Sequence, residues 1–194
     1  MDDDPRRSDR EMVQAVLARR PRAFEALVRQ YQGLCWHIVQ RMVRHPEDAL
    51  ELCQDTFMRV HRYLHQYRFD SPLKSWIGRV AYTVALRHLE RKRIPLVDGA
   101  DEAAHGAMLE GISDGADLEG AYSEGEAARL LHAAIESLAP LPRTLLTLYH
   151  LEEMPIPEIA RITGVADGTI KSHLFRARLR LRKMLEDPKE SADE

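Results

Sequence analysis

The side chains best suited to binding another molecule lie near the C-terminal end, in two predicted helices separated by a glycine. Residues 157–163 have helical spacing, Gly164 suits a tight turn, and Asp167 begins a second, longer predicted helix. One side of the second helix is apolar, and polar or basic side chains occupy the rest: Thr169, Lys171, Ser172, His173, Arg176, Arg178 and Arg180. Such groups can bind base edges between two rows of phosphates in a major groove. The pattern favours a DNA-binding helix-turn-helix over an ordinary amphipathic helix with a solvated basic side.

A second candidate surface lies on the fourth predicted helix and the turn before it. Aromatic and cationic side chains are interleaved there: Phe69, Lys74, Trp76, Arg79, Tyr82 and Arg87. Unpaired nucleic acid binds by base stacking on aromatic rings, with cations along its backbone. Helical spacing predicts that Arg79 and Tyr82 project outward, whereas Trp76 fits the apolar core better. For Tyr82 and Phe69 a stacking role and an incidental role both remain open.

Charge is partitioned along the chain, although the net charge is only -3. The segments 59–93 and 161–183 are basic, whereas 95–128 contains acids and no Lys or Arg. Two basic blocks joined by an acidic spacer indicate two modules that contact a polyanion.

Composition argues against several other classes of protein. With 44% hydrophobic and 30% charged residues the chain suits a water-soluble fold, and no run approaches the roughly 20 apolar residues of a membrane span. Cys35 and Cys53 lie on apolar stripes, which predicts buried free thiols and a reducing cytoplasm. The motifs of phosphate-binding loops, hydrolases and metalloproteases are missing from the sequence, so we expect no enzyme activity, cofactor or metal.

The elements that must position both surfaces are all helical, because strand-type alternation is nearly missing from the sequence. Ser8 to Glu11 fit a capping box that would begin the first helix, and His45-Pro46 would separate the second from the third. We expect two small helical domains, at residues 8–94 and 125–186. They would be joined by an acidic flexible linker at 95–124, with transient helix near 103–109.

Three stretches of the N-terminal part resemble region 2 of the extracytoplasmic-function (ECF) sigma factors: Ala23-Phe24-Glu25-Ala26-Leu27, Gln54-Asp55-Thr56-Phe57-Met58-Arg59-Val60 and Ser75-Trp76-Ile77-Gly78-Arg79-Val80-Ala81. The C-terminal part resembles their region 4, in Glu158-Ile159-Ala160, Gly164-Val165, Gly168-Thr169-Ile170-Lys171-Ser172 and Arg176-Ala177-Arg178. The order and spacing match the family over most of the chain outside the linker and tail.

The resemblance implies a bacterial transcription initiation factor that binds core RNA polymerase and promoter DNA. The third helix would dock on the clamp helices of the β′ subunit through Asp48, Glu51, Gln54 and Asp55. The turn and fourth helix of region 2 would recognise and melt the minus-ten element through Phe69, Lys74, Trp76, Arg79, Tyr82, Thr83 and Arg87. Region 4 would read the minus-thirty-five element with the second helix of the helix-turn-helix and contact the β flap. The resemblance also suggests an anti-sigma protein as a partner, because such partners are common in the family.

Several positions depart from the family pattern. Leu50 stands where an acid is usual, and drift at a tolerant position is the simpler explanation. The alternative hypothesis is that Leu50 weakens core binding until a modification such as phosphorylation of Thr56, the only candidate hydroxyl on that helix, restores the charge. Thr83 and Arg87 replace a usual Asn and Asp, which puts the minus-ten preference in question. Ala166 stands where the family usually has a Ser that caps the second helix, and Asp167 could take over the capping. His173 stands where the family usually has an Arg.

Two alternative classes remain open on the sequence: a stand-alone DNA-binding regulator, and a protein-interaction module that mimics a sigma factor and would support no transcription. A helix-turn-helix regulator could bind duplex DNA by itself, with the N-terminal helices serving as a dimer interface. The basic and aromatic fourth helix speaks against this alternative, because a dimerisation domain has no need of it.

Overall fold

The structure is a computed structural model that describes residues 5–97 and 124–186. All regular structure in these ranges is helical, which confirms the predicted all-α fold. The N-terminal helices are α1 (Pro5–Leu17), α2 (Ala23–Met42), α3 (Pro46–Tyr63) and α4 (Leu73–Lys92), and a 3-10 turn at Leu64–Gln66 follows α3.

Helix α2 is the central helix of the N-terminal half. It packs against α1, α3 and α4, and its buried stripe includes Leu27, Leu34, Ile38 and Met42. Pro46 occupies the first turn of α3, where the missing N–H costs nothing because that donor would have no helical partner.

The C-terminal half consists of α5 (Glu124–Ser137), α6 (Pro140–Leu146), a π-helical turn (Thr147–Leu151), α7 (Ile156–Thr163) and α8 (Asp167–Glu186). Gly164 ends α7 in the left-handed conformation, with φ of 76°, and its N–H donates to the carbonyl oxygen of Ala160 at 2.8 Å. A glycine adopts this backbone without the steric cost of a Cβ atom. The turn therefore sets α8 across α7 as the sequence predicts.

The two halves pack directly on each other. Helix α7 lies on α4, and α6 lies on α2. Gly78 in α4 permits the close approach, since a Cβ atom there would lie 3.0 Å from Cδ1 of Ile162 and 3.4 Å from Cδ1 of Ile38. The buried side chains of both halves consequently form one continuous cluster.

The predicted capping box at Ser8 to Glu11 is wrong. These residues lie inside α1, which begins at Pro5, and Asp9 instead accepts a hydrogen bond from the backbone N–H of Leu73 at the start of α4. The proposed transient helix at 103–109 lies outside the described residues, and the division at 8–94, 95–124 and 125–186 stays a prediction.

The two cysteines are free thiols, as predicted. Cys35 is buried and Cys53 is partly buried. Burial raises the pKa of both thiols, to about 11 for Cys53, so neither forms a reactive thiolate at neutral pH.

Candidate nucleic-acid interface

Helix α8 carries an exposed basic surface. Lys171, Arg178 and Arg180 are exposed, while Thr169, Ser172 and Arg176 are partly buried. The Ser172 hydroxyl donates to the carbonyl oxygen of Gly168 at 3.0 Å. Six of the seven predicted side chains are thus at least partly accessible along one helix.

The prediction that His173 lies on this exposed surface is wrong. Its side chain is only 6% exposed and borders a small cavity with Leu138, Ala139 and Pro142. The position follows Ile170 by three residues and precedes Ala177 by four, so it lies at the margin of the buried stripe of α8. His173 therefore contacts the α5–α6 junction rather than an open groove, and its imidazole Nδ1 lies 3.4 Å from Nη2 of Arg176.

Helix α4 presents two of its arginines to solvent and its tyrosine to the protein. Arg79 and Arg87 are exposed, whereas Thr83 is partly buried and its hydroxyl donates to the carbonyl oxygen of Arg79. Tyr82 was predicted to project outward but is 4% exposed, and burial raises its pKa to about 12. It lies one helical turn after Gly78, on the side of α4 that α7 covers. Packing of the C-terminal half, which local spacing does not reveal, explains this burial.

The turn before α4 forms an aromatic cluster. The ring centroids of Tyr67 and Phe69 are 4.6 Å apart, and those of Tyr67 and Trp76 are 5.5 Å apart. Phe69 and Trp76 are partly buried, and Phe69 has a positive φ of 61°. The structure thus brings together two of the predicted stacking residues, and neither residue is fully buried.

The outer surface of α3 holds the predicted polymerase-docking residues. Glu51, Gln54 and Asp55 are exposed, and Leu50 is 57% exposed beside them. Asp48 instead turns towards α4, where its Oδ2 lies 2.7 Å from Nζ of Lys92. Hydrogen bonding to Lys92 lowers the pKa of the Asp48 carboxyl. Three of the four predicted carboxylate or amide groups are therefore open to a partner.

Thr56 cannot act as the predicted modification site in this structure. The side chain is fully buried, and its hydroxyl donates to the carbonyl oxygen of Leu52 at 2.8 Å. A threonine can occupy a helix core because this bond to the preceding turn satisfies its hydroxyl. The expectation of an accessible hydroxyl is wrong.

Glu152 connects the two halves. Its Oε1 lies 2.6 Å from Nδ1 of His37 in α2, and its Oε2 lies 2.8 Å from Nζ of Lys74 in α4. Beside it, the Ser75 hydroxyl donates to Oε2 of Glu158 at 2.8 Å. Burial tends to raise the pKa of Glu152, but the hydrogen bonds from Lys74 and His37 outweigh it and the net shift is downward. Lys74, a predicted DNA contact, is consequently occupied by an internal ion pair.

Arg143 anchors a second polar contact between the halves. The guanidinium is fully buried; its Nε donates to the carbonyl oxygen of Arg41 at 2.6 Å, and its Nη1 lies 3.1 Å from Oε2 of Glu136. Arg41 also forms an ion pair with Glu136, and Arg44 donates to the Glu136 carbonyl oxygen at 2.8 Å. The end of α2 is thereby fixed to α5 and α6.

Sequence reasoning missed Asp9, Glu136, Arg143 and Glu152. A signal existed only for Arg143, which is a single cation within the otherwise uncharged run 137–151. A cation in such a run indicates a buried charge with a partner elsewhere in the chain. The other three acids look like ordinary surface charges, because their partners are remote in sequence.

Within the part of the chain that the structure describes, no helix is both long and apolar enough to cross a membrane. Nor do residues 5–97 and 124–186 contain a group of three or more His, Cys, Asp or Glu side chains placed to hold a metal ion.

Comparisons with known proteins assign both halves of the chain to one family. The family model for Sigma-70 region 2 matches residues 27–94, and the model for Sigma-70 region 4 matches residues 128–181. The chain is 30% identical over 181 residues to the RNA polymerase sigma-H factor of Pseudomonas aeruginosa, covering 92% of this chain and 94% of that protein. It is 32% identical over 177 residues to the ECF RNA polymerase sigma-E factor of Escherichia coli (strain K12), covering 88% of this chain and 91% of the relative.

Solved structures share the fold. CnrH, in its complex with the cytosolic domain of CnrY, matches with a TM-score of 0.63 at 19% identity, covering 94% of this chain and 98% of CnrH. RpoE of Bartonella quintana, in its complex with the anti-sigma factor NepR, matches with a TM-score of 0.58 at 22% identity, covering 85% and 98% of the two chains. The regions, their order and the full-length relatives lead to one conclusion: this chain belongs to the ECF subfamily of bacterial RNA polymerase sigma factors.

Proposed function

We propose that the chain is a cytoplasmic, non-enzymatic sigma factor that binds core RNA polymerase and directs transcription initiation at specific promoters. The observation that carries the proposal is the presence of both sigma-70 regions, in order, on one chain. A regulator that binds duplex DNA alone would need region 4 and a dimer interface, but it would have no use for region 2.

The exposed groups support a division of labour between the halves. Lys171 and Arg178 on α8 suit phosphates of the minus-thirty-five element, and Ser172 and Arg176 suit its base edges. The aromatic turn with Phe69 and Trp76, beside the cations of α4, suits the unpaired minus-ten strand. The exposed Glu51, Gln54 and Asp55 of α3 suit the β′ clamp helices, and region 4 would also meet the β flap.

The packed arrangement has to open before both elements are bound. Elements about 25 base pairs apart are roughly 85 Å apart along B-DNA at about 3.4 Å per base pair. A compact chain of this size has a radius of gyration of about 16 Å, which corresponds to a diameter of roughly 40 Å. A segment of the length of 98–123 spans at most about 85–95 Å when fully extended. Separation of the halves would also release Lys74 from Glu152 for DNA.

Binding to core polymerase tests the proposal before any promoter is known. We expect the purified chain to comigrate with core RNA polymerase of the host bacterium on gel filtration. Glu51→Lys should reduce comigration, because it reverses an exposed charge on the α3 docking surface, whereas Glu25→Lys on α2 is a matched control that should not. A chain that never comigrates with core polymerase, and instead binds duplex DNA as a dimer, would support the stand-alone regulator.

Control by a partner is a further part of the proposal. RpoE, whose structure this chain resembles, is bound by an anti-sigma factor. We propose that a protein of the same class binds this chain, because a partner that stabilises the packed halves would prevent both promoter contacts.

A further inference from the structure

Helix α4 begins without a cap of its own. Its N-cap residue is Pro72, which makes no side-chain capping hydrogen bond, and the first turn of α4 contains no acidic residue. The first N–H groups of a helix have no partner within the helix and carry a partial positive charge. A carboxylate from elsewhere in the fold is therefore well suited to this end of α4.

Asp9 supplies that carboxylate from α1. Its Oδ2 accepts the N–H of Leu73 at 2.7 Å, and its Oδ1 accepts the hydroxyl of Tyr31 at 3.3 Å. Tyr31 in α2 is only 6% exposed, and burial raises its pKa, so its hydroxyl remains a donor at neutral pH. One side chain thus connects α1, α2 and the first residue of α4.

The neighbouring Arg10 contacts the aromatic turn. Its guanidinium carbon lies 5.5 Å from the centroid of the Phe69 ring. Phe69 has a left-handed backbone, which is costly for a residue with a bulky side chain unless surrounding contacts hold it. Nearby, the Tyr67 hydroxyl donates to the carbonyl oxygen of Ser71, and a small cavity is lined by Asp9, Arg10, Tyr67, Phe69 and Ser71.

Helix α1 lies outside the segment 27–94 that matches region 2, yet it supplies both of these contacts. We propose that Asp9 and Arg10 are positioning residues for promoter opening. Asp9 fixes the start of α4, and Arg10 fixes the Phe69 ring, so that the aromatic turn is preorganised to stack on unpaired bases. The inference rests on the proposed function of region 2. It adds that α1 holds the aromatic turn of that region in the conformation that binds unpaired bases.

Promoter opening is the first test. A promoter is first located by sequencing the 5′ ends of RNA that core polymerase makes with the wild-type chain. Holoenzymes that contain full-length variants are then compared on this promoter as duplex DNA. The reactivity of its thymines with permanganate reports strand opening. Asp9→Ala should lower the opening rate about three- to tenfold, which is the factor that corresponds to the free-energy cost of losing a helix cap. Asp9→Asn should recover part of the rate because its amide oxygen still accepts from Leu73, and Glu11→Gln on exposed α1 surface should match wild type. Retention on core polymerase should stay unchanged in all of them.

Fluorescence of Trp76 provides a second readout that needs no polymerase. The chain has two tryptophans, so Trp36→Phe leaves Trp76 as the single emitter. Acrylamide quenching of Trp76 should increase about twofold in Asp9→Ala and in Arg10→Ala, but not in Glu11→Gln. Unchanged quenching together with wild-type opening would overturn the positioning role. Failure of the wild-type holoenzyme to open any promoter would count against the proposed function instead, and quenching would still decide the role of Asp9.

Discussion

The contact between Gly78 and Ile162 provides a direct test of whether the two halves pack in solution as they do in the structure. A Cβ atom at Gly78 would lie 3.0 Å from Cδ1 of Ile162 in α7. Gly33 in α2 is the matched control, because it is also within a helix and a Cβ atom there would meet nothing within 4 Å. Both positions gain the same helix propensity on substitution with alanine, so they differ only in packing.

The expected magnitudes follow from these two environments. Gly33→Ala should raise the free energy of unfolding by about 1 kcal/mol, the usual difference between alanine and glycine inside a helix. Gly78→Ala should gain the same amount but lose about 1–3 kcal/mol to overpacking. The difference between the two variants therefore measures the cost of crowding Ile162, and Gly78→Ala should be neutral or destabilising.

Urea denaturation followed by circular dichroism measures the effect, and a double-mutant cycle assigns it. Ile162→Val removes the methyl group nearest to Gly78 and should by itself cost about 1 kcal/mol. In the Ile162→Val background most of the penalty of Gly78→Ala should disappear, giving a coupling of about 1 kcal/mol or more. If Gly78→Ala stabilises the chain as much as Gly33→Ala, and the coupling is zero, α7 does not lie on α4 in solution.

Three further predictions concern charge. The pKa of Glu152 is lowered below its ordinary value of 4.5, so the ionised carboxylate contributes its full stabilisation above pH 4.5 and loses it as the pH falls through the lowered pKa. In a pH series of urea titrations, Glu152→Gln should therefore lose less stability at acid pH than wild type. An identical pH dependence of the two proteins would contradict the role of the ion pairs. Arg176→Ala should cost about 1–3 kcal/mol on specific DNA and little on random DNA, whereas Lys171→Ala should weaken both and reduce the salt slope by about one. Equal effects of both substitutions on specific and random DNA would refute these assignments. Leu50→Glu should increase retention by core polymerase, because it restores an acid on the α3 docking surface, and unchanged retention would refute a role for Leu50.

Helical periodicity predicted the elements well because the apolar stripes of α2 and α3 are long and regular. It failed at Tyr82 and His173 for a common physical reason. Tyr82 lies nearly opposite Ile77 and Val80 on α4, on a second face of the helix that is also buried. His173, in contrast, lies at the margin of the stripe of α8. Burial was decided by packing partners remote in sequence: α7 against α4 for Tyr82, and the α5–α6 junction for His173.

The environments of polar residues were harder to predict than those of apolar ones, because the same polar side chain can find its hydrogen-bond or ion-pair partners in several ways. Thr56 is buried because its hydroxyl bonds to the turn before it, which no sequence pattern distinguishes from an exposed threonine. Asp9 lies inside the predicted capping box without a capping role in it, yet it caps a helix 64 residues away. Lys74 resembles a free cation for DNA, yet it pairs with Glu152 in the packed arrangement.

Sigma factor activity is tested most directly by transcription from genomic DNA with purified components. Core RNA polymerase of the host bacterium is incubated with sheared genomic DNA, with or without the chain, and the 5′ ends of the RNA are sequenced. We expect a limited set of start sites that appears only with the chain and shares two upstream elements, one near minus ten and one near minus thirty-five. If the chain adds no start site to those made by core polymerase alone, while it binds duplex DNA unaided, it is not a sigma factor in function.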